Sequence, residues 1–206
     1  MPKRFWYFWI KQTITQLLLL SRTKVHVIGK EQIDPKKRYL VVTNHISNFD
    51  PIITIEKLGL HPLICVTKKE NLKIPICGAF IHHAGFIPLD REDAHSGIKM
   101  LRTATSFLEK DLASIYICPE GTRSKTGQMA PFHPGSFKIA KKAEVEIIVC
   151  YVENTNLIAK HFPFRGTKTT LKIVKIISKE EVLEKNTAEL AEEAQRLIEI
   201  EKENRK

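Results

Sequence analysis

The chain has 206 residues, 43% of them hydrophobic, which supports one packed domain and leaves little material for a second. This composition, with its alternating apolar segments, excludes an intrinsically disordered protein. The formal net charge of +10 indicates an anionic partner, such as nucleic acid, an anionic membrane or a phosphorylated substrate.

The first segment, residues 1–22, is apolar and aromatic-rich with a basic start, "MPKRFWYFWIKQTITQLLLLSR". Polar residues interrupt it, so it is too short for a spanning helix, and it lacks the unbroken apolar region and cleavage site of a signal peptide. Aromatic rings favour the headgroup boundary of a membrane, and Lys3, Arg4 and Lys11 favour anionic lipid. We therefore predict an amphipathic membrane-surface helix over 1–22, before a main domain over 23–206; packing on the protein's own core is the alternative. One side of this helix would carry Trp6, Trp9, Ile10, Thr13, Leu17 and Leu20.

The rest of the chain alternates between strand-like and helix-like segments. Strands are predicted over 24–29, 38–44, 62–68, 86–89, 113–118, 144–152 and 169–177. Helices are predicted over 51–60, 74–85, 92–110, from Ser136 onward and over 187–206, with Ile98, Leu101, Thr105 and Leu108 on the inner face of 92–110. Pro and Gly are frequent over 119–135, which predicts a long loop. The alternation predicts a single α/β domain whose largely parallel mixed sheet is flanked by helices.

The cysteines are Cys65, Cys77, Cys118 and Cys150, each in or beside an apolar run. No CxxC pair occurs, and the spacing fits neither a zinc site nor a disulfide framework. This pattern predicts reduced, buried thiols in a cytoplasmic setting. A catalytic role for Cys118 is the alternative, which its place at the end of the strand-like "SIYI" disfavours.

The stretch "NHISNFD" (44–50) follows a predicted strand and places His45 and Asp50 five positions apart. On a regular helix their side chains would point about 140° apart, so they meet only if the segment turns. Asp50-Pro51 is typical of a helix start, with Asp as the N-cap and Pro as the first residue. In the other interpretation, Asp50 orients His45 as a general base. Ser47 is the only nearby candidate nucleophile, and its position is more typical of a helix cap. Such a base would therefore act on a hydroxyl of the substrate.

Charged residues stand at the ends of three more predicted strands, in "VTKKE" (66–70), "GFIPLDR" (85–91) and "PEGTRS" (119–124). The carboxyl ends of parallel strands gather at one edge of a sheet, where α/β proteins place their sites. Cations there could converge on a phosphate, for which the forked donors of Arg are suited. Solvated surface charges are the alternative. Glu120 would have its charge held by these cations or would bind a substrate hydroxyl.

Together, "NHISNFD", "GFIPLDR" and "PEGTRS" resemble the first three signature blocks of the PlsC-type glycerolipid acyltransferases, the family of 1-acyl-sn-glycerol-3-phosphate acyltransferase. Their order and spacing are similar to those of the family, and so are the stretches "TKKENLKIPICG" and "PFHPGSFKIA". The family's fourth block is usually an apolar strand with a proline, whereas "EIIVCYV" (146–152) has none.

This resemblance implies that His45 deprotonates a hydroxyl of lysophosphatidic acid, whose oxygen attacks an acyl thioester directly, without an acyl-enzyme. Asp50 would orient His45, and backbone amides near the loop would stabilise the oxyanion. It implies no metal and no cofactor, with acyl-ACP or acyl-CoA as co-substrate. The residues implied for substrate binding are Lys68, Arg91, Glu120, Gly121 and Arg123.

The expected partners are lysophosphatidic acid or a related phosphorylated acceptor, an acyl carrier protein or CoA thioester, and an anionic membrane surface. The expected location is the cytoplasmic face of the cell membrane, as a peripheral or monotopic protein. Nucleic acid is not expected, because no RNP, zinc-finger or helix-turn-helix signature occurs. The alternatives are a different acceptor (glycerol-3-phosphate or another lysolipid) and a non-catalytic basic protein that binds anionic lipid. Adjacent His82 and His83 cannot share one helix side, which disfavours a metal pair there.

Overall fold

The computed structural model of the chain describes residues 4–75, 77–124 and 128–205, without the side chains of Arg4 and Cys77. Its strands are β1 (Thr23–Ile28), β2 (Leu40–Thr43), β3 (Leu63–Lys68), β4 (Ile87–Leu89), β5 (Ser114–Ile117), β6 (Ile147–Glu153) and β7 (Thr167–Ile177). Its α-helices are α1 (Arg4–Leu20), α2 (Phe49–Lys57), α3 (Cys77–His83), α4 (Ala94–Glu109), α5 (Pro134–Ala143), α6 (Leu157–His161), α7 (Lys179–Glu184) and α8 (Thr187–Glu203). Two 3-10 helices cover Lys30–Gln32 and Lys69–Lys73.

These strands form one sheet in the order β1-β7-β6-β2-β5-β3-β4. Every neighbouring pair is parallel except β6 and β7, which are antiparallel. All residues of β2 and β5, and all but the last of β6, are buried, as expected for strands covered on both faces. The predicted α/β domain with a largely parallel sheet is confirmed.

Helices cover both faces of the sheet. The connections through α2 and α3 step toward the β4 edge, whereas those through α4 and α5 step back toward β6. Because such crossovers are right-handed, opposite steps place their helices on opposite faces. Helix α8 contacts α5 and β6, so it joins the layer of α4 and α5. This wrapping leaves the carboxyl ends of β2, β5, β3 and β4 side by side at one edge.

Helix α1 packs on the body of the protein and also exposes an apolar face. Tyr7, Ile10, Ile14 and Leu18 are buried at helical spacing, and α1 contacts α2, α3 and β1. Of the residues predicted to share one side, Ile10 is therefore buried while Trp9, Leu17 and Leu20 are exposed, because apolar residues occur all round this helix and periodicity alone could not choose the inner stripe. The large apolar side chains that remain exposed on this helix are Phe5, Phe8, Trp9, Leu17, Leu19 and Leu20. Lys3 lies outside the described residues, and the chain's division at residue 22 stays a prediction.

Among the helices in the described ranges, none combines the length and the apolar character needed to cross a bilayer. The side of α1 turned away from the core is nevertheless rich in large apolar residues.

Two predictions about the helical layer need correction. Helix α4 buries the predicted Thr105 and Leu108 and packs Leu101 against the core, whereas Ile98 is 51% exposed, so the predicted inner face is wrong for Ile98. The face is set by what α4 packs against, which local periodicity does not contain. Helices α6 and α7 were not predicted; both are short, although Ser178 and Glu181 form a capping box at the start of α7.

The prediction of buried, unpaired cysteines is confirmed for two of the three cysteines whose side chains are described, and the cytoplasmic setting stays a prediction. Cys65, Cys118 and Cys150 are free thiols, with Cys65 and Cys150 buried and Cys118 half-buried. The side chain of Cys77 lies outside the described part of the chain.

Candidate active site

The turn between β2 and α2 brings His45 and Asp50 together. The ring Nδ1 of His45 lies 2.9 Å from Asp50 Oδ2, and the same oxygen accepts the backbone N–H of Ile46 and of Ser47, each at 2.8 Å. One carboxylate oxygen therefore holds the turn in shape and fixes the histidine ring. The predicted hydrogen bond between the pair is confirmed, while their catalytic role stays a prediction.

Asp50 is not the N-cap of α2. The helix begins at Phe49, Asn48 is the N-cap and Asp50 lies in the first turn. The cap interpretation is therefore wrong, because the carboxylate faces back into the preceding turn. Ser47 is not the N-cap either, although its hydroxyl oxygen accepts the N–H of Phe49, the first residue of the helix, at 3.2 Å. Asp50 is fully buried, and its Oδ1 accepts a short hydrogen bond from the hydroxyl of Thr155.

The surroundings of His45 favour its protonated form. Burial lowers the pKa of the ring, but hydrogen bonds with Asp50 and Cys118 outweigh this effect and raise the pKa to about 10. The ring is still accessible, with 17% of the side chain exposed. Because Nδ1 is bound to Asp50, Nε2 is the nitrogen that can take a proton from a substrate.

Cys118 links His45 to a polar network at the end of β5. Its sulfur lies 3.1 Å from the hydroxyl of Tyr116 and 3.6 Å from the hydroxyl of Thr43, and these two hydroxyls lie 2.7 Å apart. Burial raises the pKa of Tyr116 well above its usual range. The network therefore places neutral hydroxyls behind the thiol, and the thiol beside the imidazole.

Glu120 joins the two loops of the site through backbone amides. One carboxylate oxygen accepts the N–H of His45 at 2.5 Å, and the other accepts the N–H of Ala130 at 3.0 Å. Burial raises the pKa of Glu120, and these two hydrogen bonds partly offset the rise. Among the described residues its direct partners are thus amides, and no Lys or Arg there forms an ion pair with it, contrary to the expectation that cations hold its charge. The N–H of Ser124 donates to the carbonyl of His45 at 2.8 Å, which ties the loops together a second time.

Gly121 occupies a backbone conformation that favours glycine. Its φ is 68°, in the left-handed region, and a Cβ there would lie 3.2 Å from the ring of His133. Its N–H donates to the carbonyl of Cys118 at 3.1 Å. A tight turn directly after Glu120 therefore explains a glycine at this position.

The predicted phosphate-binding cations lie at the same sheet edge as His45. Lys68 ends β3, Arg91 follows β4 and Arg123 follows β5, and all three are exposed. Since β2, β5, β3 and β4 are consecutive in the sheet, the edge from His45 to Arg91 spans roughly 14 Å. Lys68 Nζ lies 3.5 Å from Glu70, whereas Arg91 and Arg123 make no ion pair with the residues that the structure describes.

A cavity of about 250 Å³ adjoins the turn. Asn44, Glu120 and Ser124 line it on the side of His45, and Tyr151 and Arg205 are among its lining residues from β6 and the end of α8. The cavity therefore offers room next to the candidate base at the carboxyl edge of the sheet.

Two positioning residues were not predicted. The amide side chain of Asn44 donates to the carbonyl of Val152 at 2.9 Å and accepts its N–H at 2.8 Å, which joins the ends of β2 and β6. Thr155, after β6, holds Asp50 from 105 positions away in sequence. Asn44 stands beside His45 in the motif and could have been noticed there, but no local signal marks Thr155.

The described residues contain no group of three or more His, Cys, Asp or Glu side chains arranged to hold a metal ion. In this part of the chain, His82 and His83 contact each other and His83 stacks on Trp6 at 4.4 Å. The two histidines therefore belong to the packing between α1 and α3.

Known proteins resemble the chain over this site. A family model described as Acyltransferase matches residues 24–153. The 1-acyl-sn-glycerol-3-phosphate acyltransferase of Saccharomyces cerevisiae is 33% identical over 181 residues, which cover 84% of this chain and 58% of the relative. The protein of the same name from Borreliella burgdorferi is 30% identical over 153 residues, which cover 74% and 60%.

A solved structure has the same fold. The crystal structure of the 1-acyl-sn-glycerophosphate (LPA) acyltransferase PlsC from Thermotoga maritima matches with a TM-score of 0.71 and 24% identity, over 94% of this chain and 78% of that one. The chain spans less than two thirds of the length of the two curated relatives. The family match contains the His45 turn and the three strand ends that carry Lys68, Arg91 and Arg123. This chain therefore belongs to the acyltransferase family.

Proposed function

We propose that the protein transfers a fatty acyl group from a thioester to the hydroxyl of 1-acyl-sn-glycerol-3-phosphate, giving phosphatidic acid. The observation that carries this proposal is the 2.9 Å contact between His45 Nδ1 and Asp50 Oδ2, at the sheet edge that also carries Arg91 and Arg123. The names of the similar proteins support the acceptor, lysophosphatidic acid.

In the proposed reaction, Nε2 of neutral His45 takes the proton of the acceptor hydroxyl. The oxygen attacks the thioester carbonyl and forms the new C–O bond, and the intermediate then expels the thiolate as the C–S bond breaks. The thiolate takes the proton back from His45, so the enzyme ends as it began. Asp50 stabilises the imidazolium between the two proton transfers.

Glu120 has a positioning role in this proposal and lines the acceptor site. Its two oxygens accept the amides of His45 and Ala130, and each oxygen has a second lone pair for a substrate hydroxyl. Gly121 would let the acceptor approach the backbone closely. Arg91 and Arg123, with Lys68 as a third cation, would bind the acceptor phosphate.

The donor in this proposal is an acyl carrier protein or CoA thioester, and no metal or cofactor takes part. The protein would work at the cytoplasmic face of the cell membrane, held as a peripheral or monotopic protein by the exposed face of α1. Exposed Phe5, Phe8, Trp9 and Leu20 on this helix support a membrane-surface role.

The test mixes the purified chain with an acyl thioester and lysophosphatidic acid, and follows thiol release and phosphatidic acid by mass spectrometry. His45→Ala is expected to lower the rate by about 10²–10⁴-fold, because a positioned base contributes that much. Asp50→Asn keeps the shape of the side chain and removes its charge, so a loss of at least about tenfold is expected. Exposed His95→Ala is the matched control and should react at the wild-type rate.

Wild-type activity in His45→Ala would disprove the proposed mechanism. Acyl transfer to glycerol-3-phosphate or another lysolipid, but not to lysophosphatidic acid, would change the acceptor and keep the reaction. Binding to anionic vesicles without thiol release from any donor would favour a non-catalytic lipid-binding protein. Parallel assays with acyl carrier protein and CoA thioesters identify the donor.

A further inference from the structure

The loop between α6 and β7, residues 162–166, exposes two phenylalanines. Phe162 is 53% exposed and Phe164 is 90% exposed, so Phe164 contacts very little of the protein. Scattered exposed apolar residues are ordinary, but two large rings in a five-residue loop form a concentrated apolar surface. We call residues 162–166 the phenylalanine loop.

The phenylalanine loop is attached to the end of α1. The guanidinium of Arg22 donates to the carbonyl of Pro163 at 2.6 Å, and the N–H of Thr167 donates to the carbonyl of Arg22 at 3.3 Å. A Cβ at Gly166 would lie 2.9 Å from the Arg22 carbonyl, so the two segments touch there. The last residues of α1 include Leu19 and Leu20, which are 65% and 71% exposed. Two adjoining segments therefore each present large apolar side chains to the outside.

The charge of these segments is entirely positive. Residues 1–30 and 154–178 contain eleven Lys and Arg and no Asp or Glu, whereas the whole chain has a formal net charge of +10. Two of the eleven, Lys172 and Lys175, form ion pairs with Glu201, Glu181 and Glu193, so their charge is balanced. The cations in or beside the phenylalanine loop are Arg22, Lys24, Arg165 and Lys168, and all four are exposed. Exposed cations with exposed aromatic rings are the combination that binds an anionic membrane surface.

Two of the cations form a recess next to the loop. In the pairing of β1 with β7, Lys24 stands opposite Lys168, and both are exposed. Like charges on directly paired residues of neighbouring strands repel each other, so an anionic group bound between the two lysines would be favourable. Lys24, His26 and Lys168 line a cavity of about 430 Å³. Its chemistry suits the phosphate of a lipid headgroup.

This surface lies at the same sheet edge as His45. Thr170 pairs with Glu153 at the end of β6, so β7 begins where β6 ends, and β1 begins beside it because Thr23 pairs with Thr167. Between β6 and α6, Thr155 donates to Asp50. A membrane bound to the phenylalanine loop would therefore lie near the candidate active site.

We propose that the phenylalanine loop is a second membrane-docking element, which inserts Phe162 and Phe164 into an anionic lipid surface beside the end of α1. This proposal rests on the membrane contact of the proposed function. Vesicle binding can be measured without an acyl donor, so it is tested independently of acyl transfer. The occupant is lipid, because the surface combines large apolar rings with cations and has no acidic residue in either segment.

The experiment measures sedimentation of the full chain with vesicles of phosphatidylcholine containing phosphatidylglycerol. Phe164→Ala is expected to weaken binding roughly tenfold, because one ring leaves the membrane. Leu183→Ala is the matched control, since Leu183 is 43% exposed on α7, at the opposite end of β7, and should bind like wild type. Equal thermal unfolding temperatures show that both variants are folded.

A second pair of variants tests the charge. Arg165→Gln is expected to weaken binding to the anionic vesicles several-fold, because it removes one cationic side chain that faces the lipid. Lys110 is exposed at the opposite edge of the sheet, so Lys110→Gln should bind like wild type. Vesicles of phosphatidylcholine alone should bind much less protein. Equal binding to both kinds of vesicle would contradict the anionic requirement.

Wild-type vesicle binding by Phe164→Ala would overturn the inference, even if the chain is an active acyltransferase. Weakened binding by Phe164→Ala would support it, even if no acyl transfer were detected. Conversion of a lipid-free dimer into a monomer by Phe164→Ala, measured by analytical ultracentrifugation, would assign the surface to a second copy of the chain and also overturn it.

Discussion

Asp50 shows how one buried side chain holds a backbone turn and a histidine ring at the same time. Its carboxylate accepts hydrogen bonds from the His45 ring, the amides of Ile46 and Ser47, and the hydroxyl of Thr155. Three of these donors share Oδ2 and the hydroxyl of Thr155 binds Oδ1, so both oxygens of the fully buried carboxylate are hydrogen-bonded, with no Lys or Arg partner among the described residues. The shape of the turn before α2 and the orientation of the histidine are therefore consequences of the same group.

The pKa of His45 predicts an unusual pH dependence. Burial lowers this pKa, while Asp50 and Cys118 raise it more, to about 10. Only the neutral ring acts as a base, and the neutral fraction rises about tenfold per pH unit below the pKa. We expect kcat/KM for acyl transfer to increase from about pH 7 toward pH 10, after subtraction of thioester hydrolysis without enzyme. A profile that is flat above neutral pH would show that the ring is already neutral there.

Cys118 is expected to influence this profile. Its contact with His45 is one of the causes that raise the histidine pKa, so Cys118→Ala should lower that pKa. The rise of kcat/KM is then expected at lower pH than in the wild type. Cys118→Ser keeps a hydroxyl for the Tyr116 network and should shift the profile less. If Cys118→Ala instead abolished turnover at every pH, Cys118 would have to take a direct part in the reaction.

At the scale of elements, the strands were easier to predict than the helices. Strands β2, β5 and β6 are buried on both faces, so nearly all of their residues are apolar and the continuous apolar run predicts the strand. A helix must also choose a face, and α1 and α4 choose theirs by contact with distant segments. Helix α6 has five residues and follows β6 closely, which leaves too little periodicity to detect.

The start of α8 is stabilised by a capping box, whose contribution can be tested. The Asn186 side chain accepts the N–H of Ala188 and Glu189, and the Glu189 side chain accepts the N–H of Asn186. Asn186→Ala is expected to lower the free energy of unfolding by about 1 kcal/mol, because the cap of the helix is lost. Denaturant unfolding measures this, and Asn186→Ser should retain most of the stability. No loss in Asn186→Ala would show that packing on α5 and β6 alone holds the end of α8.

At the scale of the molecule, the positive charge is unevenly distributed. The acid-free stretches 1–30 and 154–178 meet where β1 pairs with β7, at one end of the sheet order. The total net charge does not identify a partner, but the fold concentrates part of the positive charge at the β1–β7 end of the sheet. It favours an anionic surface on the β1 side of the molecule.

This distribution predicts a dependence on salt. Vesicle binding by the wild-type chain should weaken as ionic strength rises from about 0.05 M to about 0.5 M, because the screening length falls from above 10 Å to a few ångströms. Sedimentation with anionic vesicles measures the change, and the apolar contribution should leave residual binding at high salt. Salt-independent binding would mean that the cations do not contact the lipid.

The sequence by itself determined the strands, the α/β class and the resemblance carried by the blocks at His45, Asp90-Arg91 and Glu120. These features are local, since an apolar run or a short motif contains its own signal. Only the tertiary structure decided which side of α1 faces the core, that Thr155 supports Asp50, and that Glu120 binds amides instead of cations. Each of these contacts joins segments that are far apart in the sequence. Their distance in space is set by the packing of the whole sheet, which no local sequence pattern contains.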